Sequence, residues 1–244
     1  MKKIFPILIA SIVLVIFGAS LKELLRAGDH FMERGEYYDA LAQYQNADRI
    51  SPDNPSIKWR MGAAMNRIAI ALSGKAKTDS LRKANAIITK AIWADKNIAE
   101  AHAELAWNLA YMGLVEDEFC DFAIAGRIKE EIDYALSLNP KCPNAHFILG
   151  LWHRQVSTVS LLKRKPYGLG DASIDESFIE LSKAVNLKPD CALFKLELAK
   201  HHIITGDTIA AISMLGKIAD MSDIPANRSY KDEAANLRRK LSVK

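Results

Sequence analysis

Glycine and proline are scarce in this 244-residue chain, 12 and 8 residues, and no stretch alternates apolar with polar side chains long enough to suggest a sheet. With half of the residues hydrophobic, these absences exclude a disordered chain and point to an all-α fold with a substantial core. Cysteine is scarcer still. Cys120, Cys142 and Cys191 are an odd number with no CxxC pair, which excludes a disulfide-stapled framework and leaves stability to packing. Charge of one sign is also lacking: the net charge of +4 does not argue for a nucleic-acid binder. HExxH spacing, a Gly-rich phosphate loop closing on Lys-Ser/Thr and a nucleophile elbow are all missing. No enzyme is expected, and no cofactor.

The one long hydrophobic run lies at the N-terminus. Lys2 and Lys3 precede an uncharged stretch, Ile4 to Phe17, and Gly18, Ala19 and Ser20 supply small residues of the kind signal peptidase reads. Residues 1–20 are therefore expected to be a signal peptide cleaved after Ser20, or else an uncleaved N-terminal anchor that contacts the membrane. Both readings leave the two lysines inside and export residues 21–244, to the periplasm or to the outer side of the membrane. No cysteine stands near the cleavage site to make a lipoprotein.

What fills residues 21–244 is a repeat. Ala47-Asp-Arg-Ile-Ser-Pro52, Ala91-Ile-Trp-Ala-Asp-Lys96, Ala135-Leu-Ser-Leu-Asn-Pro140 and Ala184-Val-Asn-Leu-Lys-Pro189 recur at separations of 44, 44 and 49 residues. Each predicts a helix closing on a small residue, followed by a breaker and a new helix. Pro55 and Pro143 stand where a first helical residue is expected, since there the missing N–H costs nothing. Cys142 and Cys191 occupy equivalent places in successive repeats, ~8–10 Å apart on stacked helices and too far for a disulfide.

In the first repeat Leu24, Ala27, Gly28, Phe31, Gly35, Ala40, Tyr44, Ala47 and Pro52 match the tetratricopeptide pattern, and the chain resembles that family. Gly28 and Ala40 are small so that two antiparallel helices can approach, while Leu24, Phe31 and Tyr44 fill the seam. The expected fold is a helical-hairpin solenoid of about five repeats with a C-terminal capping helix. Gly62 to Ala84, Ala106 to Ile128 and Gly150 to Ser177 are longer than the twelve residues from Gly28 to Ala40, so the middle three hairpins are elongated. In the fourth, Lys163 to Gly170 makes a loop and Ser173-Ile-Asp-Glu176 reads as a capping box. This elongation, with His146-Phe-Ile-Leu-Gly-Leu-Trp152-His, resembles the helical domain of the regulator of microtubule dynamics family over about residues 75–241. The resemblance implies an adaptor protein and an apolar ligand; the export signal argues against any cytoskeletal role.

Of the six histidines, His102 and His146 register with Leu24, and His153 and His202 with Phe31. These are packing positions, so no metal site is expected. Glu116, Asp117, Glu118 and Asp121, with Glu130, Glu131 and Asp133, read as a solvated helix face. Lys163-Arg164-Lys165 reads as cations at a helix C-terminus, with anionic lipid head groups or a protein partner as alternatives.

In proteins of this resemblance the first helix of each hairpin lines a groove. The register places Trp59, Asn66, Trp107, Phe147, Leu151, Arg154 and Lys200 there, an apolar and aromatic surface whose Arg154 and Lys200 would hold a carboxylate or phosphate. The competing reading makes Trp59, Trp107 and Phe147 core. Two functions follow: a scaffold of the cell envelope that recognises a protein partner or peptide through this groove, or a carrier of an amphipathic small molecule such as a lipid or fatty acid.

Overall fold

The computed structural model describes residues 19–116 and 121–242. Residues 1–18 of the expected export segment, Asp117, Glu118 and Cys120 therefore lie outside the described residues. Among the described residues five antiparallel hairpins follow one another: α1 (Leu21–Arg34) with α2 (Tyr37–Ile50), α3 (Pro55–Ala71) with α4 (Gly74–Ala94), α5 (Ala99–Glu116) with α6 (Phe122–Leu138), α7 (Pro143–Val156) with α9 (Ile174–Leu187), and α10 (Ala192–Thr205) with α11 (Thr208–Ala219). Between α7 and α9 run the short α8 (Leu161–Arg164) and a 3-10 turn (Lys165–Tyr167), and α12 (Pro225–Ser242) ends the chain. The fold is all-α and of the tetratricopeptide type.

The repeated motif acts four times in the same way. Ala47, Ala91, Ala135 and Ala184 are fully buried, and their carbonyls accept the last helical hydrogen bond from Ser51, Asp95, Asn139 and Lys188 at 2.9–3.0 Å. Pro55 and Pro143 begin α3 and α7 as the sequence predicts. The elongation has two origins. α3 and α4, with 17 and 21 residues, and α5 and α6, with 18 and 17, are longer than the 14-residue helices of the first hairpin. α7 and α9 keep 14 residues each, and the fourth hairpin's extra length is all connection.

Two caps differ from expectation. Ser173 accepts from the Glu176 amide, but the reciprocal half of a capping box is absent there. A full box forms instead at Ser20 and Glu23, where the Glu23 carboxylate accepts from the Ser20 amide at 2.8 Å. The residue assigned to the end of the export segment is thus the N-cap of α1.

The seams are closed by missing side chains. A Cβ on Gly28 would lie 2.4 Å from the Tyr44 ring, one on Gly62 2.2 Å from Ile88 and one on Gly150 2.7 Å from Leu181. Gly62→Leu is therefore expected to destabilise by about 1–3 kcal/mol, because an overpacked helix contact must move backbone. Gly126→Ala, in open space on α6, serves as the control and should be neutral or slightly stabilising. Urea melts of both variants check this, and equal midpoints would mean that the seam is misassigned.

The C-terminal helix does more than cap the last repeat. α12 packs on α10 and α11 and also reaches α1. Gly35, which ends α1 at φ 79°, is where the two meet: a Cβ there would lie 2.3 Å from the Ala226 amide nitrogen. The last helix returns to the first hairpin, so the inner face of the solenoid is partly covered by the chain itself.

Candidate functional site

The inner face can be read from what lines its cavities. One, of about 350 Å³, takes Ile70 from α3, Tyr111 and Leu114 from α5, Leu151 and Arg154 from α7, Leu196, Glu197 and Lys200 from α10, and Tyr230 and Glu233 from α12. A second, of about 430 Å³, lies between the α1–α2 turn, α3 and α12 and shares Ile70 and Tyr230 with the first. First helices and α12 alone supply the inner cavity. The register that assigned the first helices to the inner face thus meets a surface that α12 divides in two.

The sequence-selected residues separate into three groups. Leu151, Arg154 and Lys200 line the inner cavity. Asn66, Trp107 and Phe147 lie in the interior, at 0%, 1% and 0% exposure, so the structure places them in packing and not on an open groove. Phe147 stacks on Phe194 with ring centroids 4.5 Å apart, and Trp107 is held between Tyr111, stacked at 3.9 Å, and the Arg67 guanidinium, 4.1 Å above its ring. Trp59 is half-buried under Arg60 and away from both cavities.

Beneath the inner face a buried polar ladder joins three hairpins. Glu104 accepts from Arg67 at 2.7 and 3.1 Å, from the Asn66 side chain at 3.2 Å and from Asn144 at 2.8 Å. Asn108 donates to Asn66 at 2.7 Å and to the Leu81 carbonyl at 2.9 Å, and accepts from Asn85. Sequence reasoning missed Arg67, Glu104 and Asn108, because nothing local marks which polar residues of an inner helix meet across repeats.

The cationic end also differs from expectation. Arg154 pairs with the Glu197 carboxylate and carbonyl, and Lys200 pairs with Glu197 and Glu233, each at 2.9 Å. The carboxylate that Arg154 and Lys200 were expected to hold is already supplied by the chain. Burial works to raise the Glu197 carboxyl, but the two cations outweigh it and hold it below its ordinary value. Burial also pushes the Tyr111 and Tyr230 hydroxyls far above their usual range, so both stay protonated donors at the cavity wall. The site is amphipathic and internally neutralised.

Two further features revise the sequence reading. His102 and His146 pack as expected but are also polar clips: each ring joins a carboxylate on the partner helix, Glu131 at 2.6 Å and Glu180 at 2.5 Å, to the carbonyl of Lys96 or Pro140 at 2.9 Å. Glu131 is therefore not part of a solvated face, although Glu130 and Asp133 are exposed. Likewise Arg164 is buried, donating to the Val159 and Leu169 carbonyls, which removes the middle of the basic triplet from the surface. Among the described residues no three His, Cys, Asp or Glu side chains converge on a metal position.

The His146 clip carries a pH dependence. Its hydrogen bond with Glu180 raises His146 above its ordinary value against the opposing effect of burial, so its stabilisation is complete below about pH 6.5 and fades as pH rises through the folded value. His153 and His201 are lowered by burial and act in the opposite sense, penalising the fold as it is acidified. The stability gap between the native chain and His146→Asn isolates the clip. In denaturant melts that gap is expected to be widest near pH 6 and clearly narrower at pH 9; a gap independent of pH would contradict the assignment.

Comparison with known proteins agrees with this architecture. The family model for regulator of microtubule dynamics protein 1-3 matches residues 24–242. Regulator of microtubule dynamics protein 1 of Bos taurus is 26% identical over 151 residues, 59% of this chain and 46% of that protein. Protein 3 of the same organism is 38% identical over 69 residues, 25% of this chain and 14% of its own length. The chain thus spans less than half of the curated relatives it matches. Among solved structures a thermophilic TPR protein of Thermus thermophilus superposes with a TM-score of 0.64 over 89% of this chain and 98% of that one, at 16% identity. That likeness shows the fold alone.

Proposed function

The chain belongs to the regulator of microtubule dynamics protein 1-3 family, and from that premise we propose that it is a non-catalytic binding protein whose inner face receives a segment of a protein partner. Tetratricopeptide-type repeats are rigid surfaces whose neighbouring units supply a continuous wall. The observation that carries the reading is the convergence of α3, α5, α7, α10 and α12 on one cavity that sets Ile70, Leu114, Leu151 and Leu196 beside two tyrosines and the mutually paired charges of Arg154, Lys200, Glu197 and Glu233. Aromatic and apolar pockets of this kind seat the anchoring side chains of a partner. Because Arg154 and Lys200 already face Glu197 and Glu233, the segment that fits presents an apolar side chain beside a neutral hydrogen-bonding group, not a free carboxylate.

Leu114 offers the test, since it lines this cavity yet is 46% exposed. A photo-crosslinking residue in its place should join the chain to a protein in its native cell, whereas the same residue in place of Ile209, 85% exposed on α11, should not. Crosslinks at both positions or at neither count against the proposal. A second reading, a carrier of an amphipathic lipid or fatty acid, is favoured by the cavity volumes, about 350 and 430 Å³, which fall in the range of small-ligand sites. Mass spectrometry of material extracted from the purified chain separates the two.

We place the repeat domain outside the cytoplasm, periplasmic or membrane-anchored, with an envelope protein as its partner. Lys2 and Lys3 before Ile4 to Phe17 support that placement. A fusion of residues 1–30 to a reporter active only after export should be active; activity of a cytoplasm-only reporter would remove the proposal.

A further inference from the structure

The connection between α7 and α9 presents apolar side chains to water in a way the inner face does not explain. Leu162 is 89% exposed, Tyr167 60% and Leu161 51%. Leaving two neighbouring leucines in solvent forgoes about 1.5–3 kcal/mol for each fully exposed side chain. A loose loop would turn them inward, but this one is held. Arg164, buried beneath the tip, ties the Val159 and Leu169 carbonyls at 3.1 and 2.5 Å, and Gly168 turns the chain at φ 77°. Leu169 and Ala172 are buried and pin the far end. Tyr167 stacks on Phe122 of α6 with centroids 4.3 Å apart.

Charge at the tip has one sign. Between Asp133 and Asp171 the sequence contains no acidic residue. Lys163 and Lys165 flank the buried Arg164, are exposed, and pair with no carboxylate among the described residues. Asp121, Glu130 and Glu131 share a cavity with Tyr167 on the α6 side, which Leu161, Leu162, Lys163 and Lys165 do not line, and Asp171 beyond the loop faces Lys129 at 3.7 Å. Leucines and a tyrosine ringed by unpaired lysines suit one kind of surface: apolar side chains enter the acyl boundary, the tyrosine sits at head-group level, and lysines meet phosphates.

We propose that residues 160–168 are a membrane-docking tip that inserts Leu161 and Leu162 into a bilayer carrying anionic lipid. The tip is separate from the inner face, so the chain can sit on a membrane through this loop whatever occupies its cavities. A rigid tip also loses little conformational entropy on docking.

The test reads the surroundings of the loop itself, so it holds in the full chain whether or not residues 1–20 are retained. An environment-sensitive fluorescent amino acid is placed at position 162 and, in a second preparation, at position 209, which is equally exposed on α11. With vesicles of phosphatidylcholine and phosphatidylserine the emission at 162 should shift to the blue, while pure phosphatidylcholine or high salt should leave it in water and position 209 should not respond. Lys163→Gln with Lys165→Gln should reduce the response by at least about fivefold, the contribution of one lysine near an anionic surface. Both lysines are exposed, so an unchanged thermal melt confirms that the fold is intact. No shift at 162, an equal shift at 209, or a shift indifferent to lipid charge overturns the proposal. So does a blue shift seen only with a membrane-free extract, which would assign the tip to a protein.

Discussion

Trp107→Ala is expected to destabilise the chain by about 3–5 kcal/mol, the cost of truncating a large aromatic side chain in a packed interior. The indole is 1% exposed, and its removal leaves a cavity between Tyr111 and the Arg67 guanidinium. Arg67 then loses its aromatic partner as well as its packing. Trp59→Ala provides the contrast: that ring is half-buried beneath Arg60, and its loss should stay within about 1 kcal/mol. Guanidinium melts of the two variants decide between packing and binding. Near-native stability for Trp107→Ala, with lost partner capture, would return this residue to a binding surface.

Glu104→Ala should be as severe, about 3–5 kcal/mol, for a different reason. The carboxylate is 2% exposed and satisfies Arg67, Asn66 and Asn144 together. Its removal leaves the largely buried Arg67 guanidinium without its counter-charge and Asn144 without this acceptor, while the Asn66 amide nitrogen keeps only its bond to the Glu104 backbone carbonyl, and breaking one side of a buried ion pair costs far more than the pair contributes net. The double variant Arg67→Met with Glu104→Leu removes both charges and should be milder than Glu104→Leu alone, although Asn66 and Asn144 remain short of an acceptor. Additive losses in the double variant would show that the two side chains do not act as a pair. The same network links three hairpins through hydrogen bonds with fixed directions, which favour one arrangement over others that apolar contact alone would tolerate.

The candidate site was only partly legible beforehand. The register found the inner helices, and three of its residues, Leu151, Arg154 and Lys200, line one cavity. It overestimated openness at Asn66, Trp107 and Phe147, because position along a first helix fixes the face but not how far a neighbouring repeat advances over it. It also took Arg154 and Lys200 as free cations. Glu197 lies on the same helix as Lys200, three residues before it, and a helical pair at that spacing was the signal that could have been read. Glu233, on α12, could not.

The helices, most of their ends and their pairing in hairpins were legible in local pattern. Those depend on interactions within one turn or one hairpin: a buried alanine whose carbonyl closes each second helix, a proline at a first turn, and glycines at 28, 62 and 150 where the partner helix leaves no room for a Cβ. What the inner face became was set by how the repeats stack. Small rotations between successive hairpins add up along the solenoid, and their sum brings Ala226 of the last helix against Gly35 of the first hairpin, far apart in sequence. No local pattern encodes such a sum, so the covering of the groove by α12, the neutralising of Arg154 and Lys200 and the ladder around Glu104 appear only once the repeats are stacked.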